Sequence, residues 1–231
     1  MATDLSRDSE VLQPVGYEFS AYDGGYRPFE YWDQVPIPGT HCPQCYSTLD
    51  HDLVPEKVTV RGRSDVYCVW GHLVVTERFR EFCLRGGYDD IEFPCVEKRR
   101  PLYQLRPTRV LDVDIERSEP QFGDFCTRCG NFESYIFGRG LFLRDVAEPL
   151  PDGFYRTDLV FGCRAGKFPT IVVGPETREK IIAERFSRVR FTALPMIDPE
   201  FETRKRRGTE AEMRRQRELR AGLPWRPKGS R

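Results

Sequence analysis

The chain lacks a long apolar run. No stretch of its 231 residues approaches the ~18 continuous apolar residues of a membrane-spanning helix. The segment from Met1 to Gln13 has neither a basic n-region nor an apolar h-region, so it does not read as a secretory signal, and the cytoplasm is the expected compartment. Histidine is scarce, with only His41, His51 and His72. None of them pairs with a Ser or Cys in a nucleophile elbow, and there is no P-loop and no dinucleotide-binding glycine pattern. His72, within Trp70-Gly71-His72-Leu73, reads as a core residue, and the acidic pair Asp89-Asp90 as a turn. These absences argue against an enzyme. They leave no residue to assign as catalytic, and none as cofactor-binding apart from metal ligands.

An overall charge excess is also missing. Thirty-six basic and 36 acidic residues balance, but unevenly along the chain. From Arg204 to Arg231 there are eleven Lys/Arg and three Asp/Glu, whereas residues 1–203 hold 25 basic and 33 acidic residues. An acidic body thus carries a basic tail. In the tail, Thr209 and Glu212 form a capping-box pattern and Gly222 can end a helix that is polar nearly all round.

Eight cysteines are present. A disulfide framework does not suit a chain of this length with no secretory signal. Four of the cysteines form two C-x-x-C knuckles, Cys42-Pro43-Gln44-Cys45 and Cys126-Thr127-Arg128-Cys129. Cys68, Cys83, Cys95 and Cys163 lie singly and read as small core hydrophobes. Pro43 pre-sets a backbone angle in the first knuckle, and Gly130 permits a positive φ after the second. Tyr46 takes the corresponding place after the first. Two such pairs supply the four N/S ligands of a closed tetrahedral zinc site, so Cys42, Cys45, Cys126 and Cys129 are the candidate ligands of a structural Zn²⁺. His41 or His51 could replace one cysteine. A thioredoxin-like redox role fits less well, because loop-like sequence surrounds both pairs. An ordinary zinc ribbon spaces its pairs by about 15–20 residues; here 80 residues intervene.

Eighteen prolines and nineteen glycines imply many short elements. Tyr17, Phe19 and Ala21 alternate as a first strand. Tyr26 to Thr40 is an irregular aromatic and proline-rich stretch, and Val58-Thr59-Val60 a short strand. Leu73-Val74-Val75 precedes a helix over Glu77–Arg85, with Thr76 as N-cap and Gly86-Gly87 as the stop. Ile91 and Phe93 mark another strand, Pro94 to Pro107 a connection, and Val110 to Ile115 a strand. A hairpin is expected about Gly138, a helical turn over Asp158–Phe161, a strand at Ile171–Val173, a helix over Glu176–Arg185 and a last strand at Val189 and Phe191.

Aligning Leu73-Val74-Val75 with Ile171-Val172-Val173 places Tyr88 on Phe186, Ile91 on Val189 and Phe93 on Phe191 without a gap, the pattern of an internal repeat. The expected fold is therefore α+β. It has two related strand–helix–strand halves, about 16–115 and 116–200, each preceded by a knuckle and joined at one zinc-ribbon-like four-cysteine site. Residues 1–15 are a disordered N-terminus in this reading, 16–200 the α+β domain and 201–231 a basic helical or disordered tail.

Taken together, these motifs resemble the double-CXXCG family, the Myxococcus-type immunity proteins of swarming-inhibition toxin systems. The resemblance rests on Pro38-Gly39-Thr40-His41-Cys42 leading into the first knuckle, Glu77-Arg78-Phe79, Ile91-Glu92-Phe93-Pro94, Cys126 to Gly130, and Phe168-Pro169-Thr170-Ile171-Val172-Val173. It covers Tyr17 to Leu194. It implies a cytoplasmic immunity protein that binds and occludes a cognate polymorphic toxin, without naming the toxin; the acidic body, by charge complementarity, makes a basic nuclease domain the expected partner. The alternative is a zinc-ribbon nucleic-acid-binding protein that uses the basic tail, with affinity that falls as salt rises. No membrane partner is expected.

Overall fold

A computed structural model describes residues 14–21, 41–51, 60, 63–69, 71–136, 138 and 140–195. The expectations for the N-terminus before residue 14, the aromatic stretch 26–40, Val58-Thr59 and the tail 201–231 lie outside the described residues.

The chain begins with strand β1 (Gly16–Ala21), followed by β2 (Val66–Val69) and β3 (His72–Thr76). Helix α1 (Glu77–Arg85) comes next, then β4 (Ile91–Glu92), β5 (Cys95–Glu97), β6 (Leu102–Gln104), β7 (Arg106–Pro107) and β8 (Val110–Leu111). After the short helix α2 (Ile115–Ser118) come β9 (Gln121–Phe122), β10 (Phe125–Cys126), β11 (Asn131–Phe132), β12 (Ser134–Ile136) and the long β13 (Phe154–Cys163). Then follow β14 (Phe168–Val173), helix α3 (Pro175–Ala183) and β15 (Val189–Leu194).

The main sheet runs β15-β1-β14-β13-β12-β9, with β8 added in parallel to β13, and it curls as an antiparallel half-barrel. A second sheet runs β2-β3-β6-β5, and β4-β7 and β10-β11 are two-stranded ribbons.

This is a mostly β architecture, which corrects the α+β expectation. The stretch read as a connection, Pro94 to Pro107, contains β5, β6 and β7. The stretch read as a helical turn, Asp158–Phe161, lies inside β13. There the β13–β14 register shifts between Arg156 and Val160. Buried Thr157 patches that bulge: its Oγ1 donates to the Leu159 carbonyl at 2.6 Å and accepts from the Thr170 N–H at 2.9 Å. A bulge breaks the strict alternation that marks a strand in sequence. The hairpin about Gly138 is also absent among the described residues; β12 pairs β13 and β9, and Leu143 bridges Val113.

The two strand–helix–strand segments are not equivalent halves. β14 and β15 both flank β1, so α3 crosses over a strand inserted between them. β3 belongs to the second sheet, whereas β4 leaves it to pair β7. The same spacing serves two different topologies because only the C-terminal segment has β1 to pair with on both sides.

The core explains the helices. Phe79, Phe82 and Cys83 sit at helical spacing and face inward from α1. Phe79 stacks on Phe19 at 5.8 Å and meets Phe186 at 4.8 Å, while Tyr88 meets Phe154 edge-on at 5.1 Å. Burying each such ring contributes about 1.5–3 kcal/mol. Thr76 occupies the N-cap position without capping through its side chain, and its hydroxyl donates to Asp65 at 3.5 Å instead. The second sheet shows period-two alternation: Val66 and Val75 face the aromatic core, while Tyr67, Val69 and Val74 face a separate small cluster. A further core under the half-barrel gathers Val113, Tyr135, Leu150, Tyr155, Phe161 and Val172. Among the described residues, no helix is long and apolar enough to cross a membrane.

Candidate metal centre

The knuckles are built alike. In the first, the Tyr46 N–H donates to the Cys42 carbonyl at 2.8 Å; in the second, the Gly130 N–H donates to the Cys126 carbonyl at 2.9 Å. His41 bridges Thr48, and Phe125 pairs with Phe132 in the same relative places. Gly130 has φ 72° and Tyr46 has φ 59°. The tyrosine therefore adopts the left-handed turn that glycine takes freely and other residues take at a cost. The Cys42 N–H donates to the Ser47 carbonyl at 2.9 Å, and the Cys45 thiol bonds the Ser47 hydroxyl at 3.2 Å.

The knuckles meet despite the intervening chain. Cys42 Sγ lies 3.8 Å from Cys126 Sγ, and Cys45 Sγ lies 3.5 Å from Cys129 Sγ, each pair 84 residues apart in sequence. All four sulfurs lie within 4.8 Å of one another. Tetrahedral geometry with metal–sulfur bonds of ~2.3 Å requires sulfur–sulfur edges of about 3.8 Å. None of the eight cysteines is in a disulfide. The four expected ligands thus converge on one point with spacing that suits a metal ion, and a tetrahedral four-sulfur set suits zinc or iron. His41 and His51 are not members of this group.

The electrostatics favour a cation. Burial works against a Cys42 thiolate, but the backbone N–H groups of Cys45 and Gln44 and the adjacent sulfurs outweigh it and bring its pKa down to about 6. The Cys129 N–H, against some burial, likewise lowers Cys126. Burial and the three neighbouring sulfurs push Cys129 up to about 12. Without a cation the sulfurs therefore share few negative charges; a divalent ion would let all four deprotonate.

Lys167 was not legible as part of this centre. It follows the 3₁₀ turn Arg164–Gly166, is only 4% exposed, and its Nζ donates to the Phe132 carbonyl just beyond the second knuckle. Burial lowers its pKa, while the thiolates of Cys45, Cys129, Cys163 and Cys126 oppose that shift. Its backbone also hydrogen-bonds His51, beyond the first knuckle; burial, helped by Lys167 and His72, lowers His51 to about 4, so its ring is neutral.

The single cysteines only partly match the core reading. Cys83 is buried and its pKa is raised by burial, and Cys68 is half-buried, but Cys95 and Cys163 are exposed. Each exposed one ends or begins a strand, where one side opens to solvent. His72 is half-buried, with Nδ1 2.9 Å from Gln104 Nε2.

No protein-family model matches the chain, and no curated protein is significantly similar to it.

Proposed function

We propose that this protein is a binding protein, clasped by a structural zinc, that neutralises a cognate polymorphic toxin in the cytoplasm by occluding it. The observation that carries the reading is the closed four-sulfur centre. Four protein thiolates leave no open coordination position, so zinc there would hold structure and would not activate water. Function then falls to the surface that the clasp holds. Tyr46 is 46% exposed beside the first knuckle and Phe125 is 48% exposed beside the second, with Leu49 and Ile136 exposed nearby in sequence. Aromatic side chains held rigidly at a surface suit a protein partner. The double-CXXCG resemblance supplies the immunity class. The acidic balance of residues 1–203 supplies a mechanism, since complementary charge speeds association with a basic nuclease domain and fixes its register.

The test is a search of the neighbouring genes for a polymorphic toxin, followed by co-expression with its toxin domain. Capture of that domain and protection of the cell are expected; intact toxin that neither binds nor is blocked refutes the reading. The association rate should fall as ionic strength rises, and a salt-independent rate removes the electrostatic part. Metal analysis of the purified protein should find one zinc per chain, and less after Cys126→Ser.

A further inference from the structure

The main sheet ends on β15. That strand pairs β1 along its whole length, from Gly16 opposite Leu194 to Ala21 opposite Val189, without a register shift. Among the described residues no strand pairs its outer side. Arg190, Thr192 and Ala193 are exposed. An open strand edge presents a row of N–H and C=O groups that can template a further strand, and natural edges are blunted by brevity, a bulge, proline or lysine. The other sheet edges among the described residues are short or irregular: β9 has two residues, β2 has four, and β5 has three with a register shift between Cys95 and Glu97. β15 has six, Val-Arg-Phe-Thr-Ala-Leu, and carries none of these devices.

The strand is held in place from within. Phe191 packs on Phe19 at 5.6 Å and edge-on to Tyr17 at 6.4 Å. The Arg178 guanidinium of α3 lies 4.5 Å over the Tyr17 ring and 5.6 Å over that of Phe191. A strand already ordered in its paired conformation loses little further freedom when it pairs again.

The side chains decide which strand fits. Val189 and Phe191 turn to the aromatic core and Leu194 to the core under the half-barrel, so the two faces alternate along β15. Directly opposed residues of an antiparallel pair share a face, which limits how two β15 strands can meet. With Arg190 opposite Arg190, like charges collide. With Thr192 opposite Thr192, Val189 meets Pro195, which has no N–H to give. With Phe191 opposite Phe191, the two rings pair and Arg190 meets Thr192 of the second copy. Thr192 is itself opposite Glu18 in its own sheet, so Arg190 falls in line with the Glu18 carboxylate of the second copy. Burial raises the Glu18 pKa against the pull of its own Arg190, and a second cation in that row favours the charged form.

We propose that β15 pairs antiparallel with β15 of a second copy of this chain, about a two-fold axis at Phe191. The interface is isologous, each copy offering the same strand. Two short strands make a small contact, so a monomer–dimer equilibrium is expected and not a permanent dimer. β9 closes the opposite end of the strand order. Phe125, just after β9, and Ile136, paired to it, therefore stay uncovered, and the dimer presents that surface twice.

The test is sedimentation equilibrium of the full-length protein under reducing conditions, from roughly 5 to 500 µM. A concentration-dependent shift from monomer to dimer is expected. Thr192→Lys sets a lysine opposite Glu18 in its own sheet and opposite Arg190 of the second copy. It should leave Tm unchanged or slightly raised and weaken association about tenfold, because the like-charged pair occurs twice across the axis. Cysteine variants read the register. Arg190→Cys and Thr192→Cys, mixed and oxidised, should yield a dimer joined between positions 190 and 192, located by peptide mass spectrometry, while neither variant alone links through its new cysteine. A monomer at every concentration, a dimer untouched by Thr192→Lys, or self-linking of either variant alone in place of the mixed link overturns the proposal.

Discussion

Removing the metal should loosen the knuckles and leave the aromatic core folded. The buried apolar groups between the knuckles are Cys42, Cys45 and Cys126 themselves, with Cys129 packed against them. Among the described residues no independent hydrophobic cluster holds them together, and β10–β11 pairs only Phe125 with Phe132 and Cys126 with Asn131. Structural zinc binds zinc-finger peptides with about 10–16 kcal/mol of apparent free energy. Shared over four thiolates, this gives roughly 2.5–4 kcal/mol per ligand as the cost of Cys126→Ser. For a chain of this size that corresponds to a fall in Tm of about 5–15 °C. Calorimetry of the purified protein, of Cys126→Ser and of protein treated with a chelator under reducing conditions measures it. Hydrogen exchange then locates the loss. Amides in 41–51 and 121–136 should lose protection in the metal-free protein, while those of β3 and α1, which bury Val75 and Phe79 completely, should keep it. An unchanged Tm with unchanged exchange in both knuckles refutes the reasoning; uniform loss of protection throughout refutes the independence of the core.

Other changes have defined outcomes. Tyr46→Gly relieves about 1–2 kcal/mol of left-handed strain and gives back about 0.5–1 kcal/mol in unfolded-chain freedom, so urea denaturation should show a small net gain. Gly130→Tyr should show a loss. Lys167→Met removes the buried positive charge beside the four sulfurs and should weaken metal retention against a chromophoric chelator by about ten- to a hundredfold, the usual effect of losing an outer-shell partner; Lys167→Arg should recover part of it. Asp152 accepts from Lys180 at 2.6 Å, Thr177 at 2.6 Å and Tyr88 at 3.0 Å. Burial opposes its ionisation, but these donors prevail and its pKa is lowered. Its stabilisation is therefore present above the unfolded carboxyl range near pH ~4 and is lost as pH falls through the lower folded value. Asp152→Asn should cost about 1–3 kcal/mol at pH 7, with a difference from wild type that shrinks below pH 4 in urea titrations at each pH.

Periodicity and turn chemistry made parts of the fold legible. The helix over Glu77–Arg85 was read to the residue, because Phe79, Phe82 and Cys83 mark one face and two glycines end it. β1, β14 and β15 carry clear apolar alternation or runs, and the second helix shows Pro175 at its first turn. The grouping of the four cysteines was legible because the C-x-x-C turn points two sulfurs at one place whatever lies between the pairs. Sheet assignment was not legible. Strands of two or three residues such as β4, β5 and β7 are too short for a period to register, and their pairing depends on partners distant in sequence. The bulge in β13 disguised a ten-residue strand.

The position of the clasp argues about its purpose. The knuckles correspond at an offset of 84 residues, whereas the two strand–helix–strand segments align only at a longer offset and enter different sheets. The metal centre therefore does not join two copies of one fold. An ion held there would fasten two loops to a body whose aromatic core is already complete. The fastening reaches the main sheet through residue 167, whose side chain holds Phe132 and whose backbone holds His51. Knuckle segments that carry exposed Tyr46, Leu49 and Phe125 gain little from burial on folding, so their conformation must be fixed in another way. Four metal–sulfur bonds would do this without covering the side chains, leaving them rigid and available to a partner.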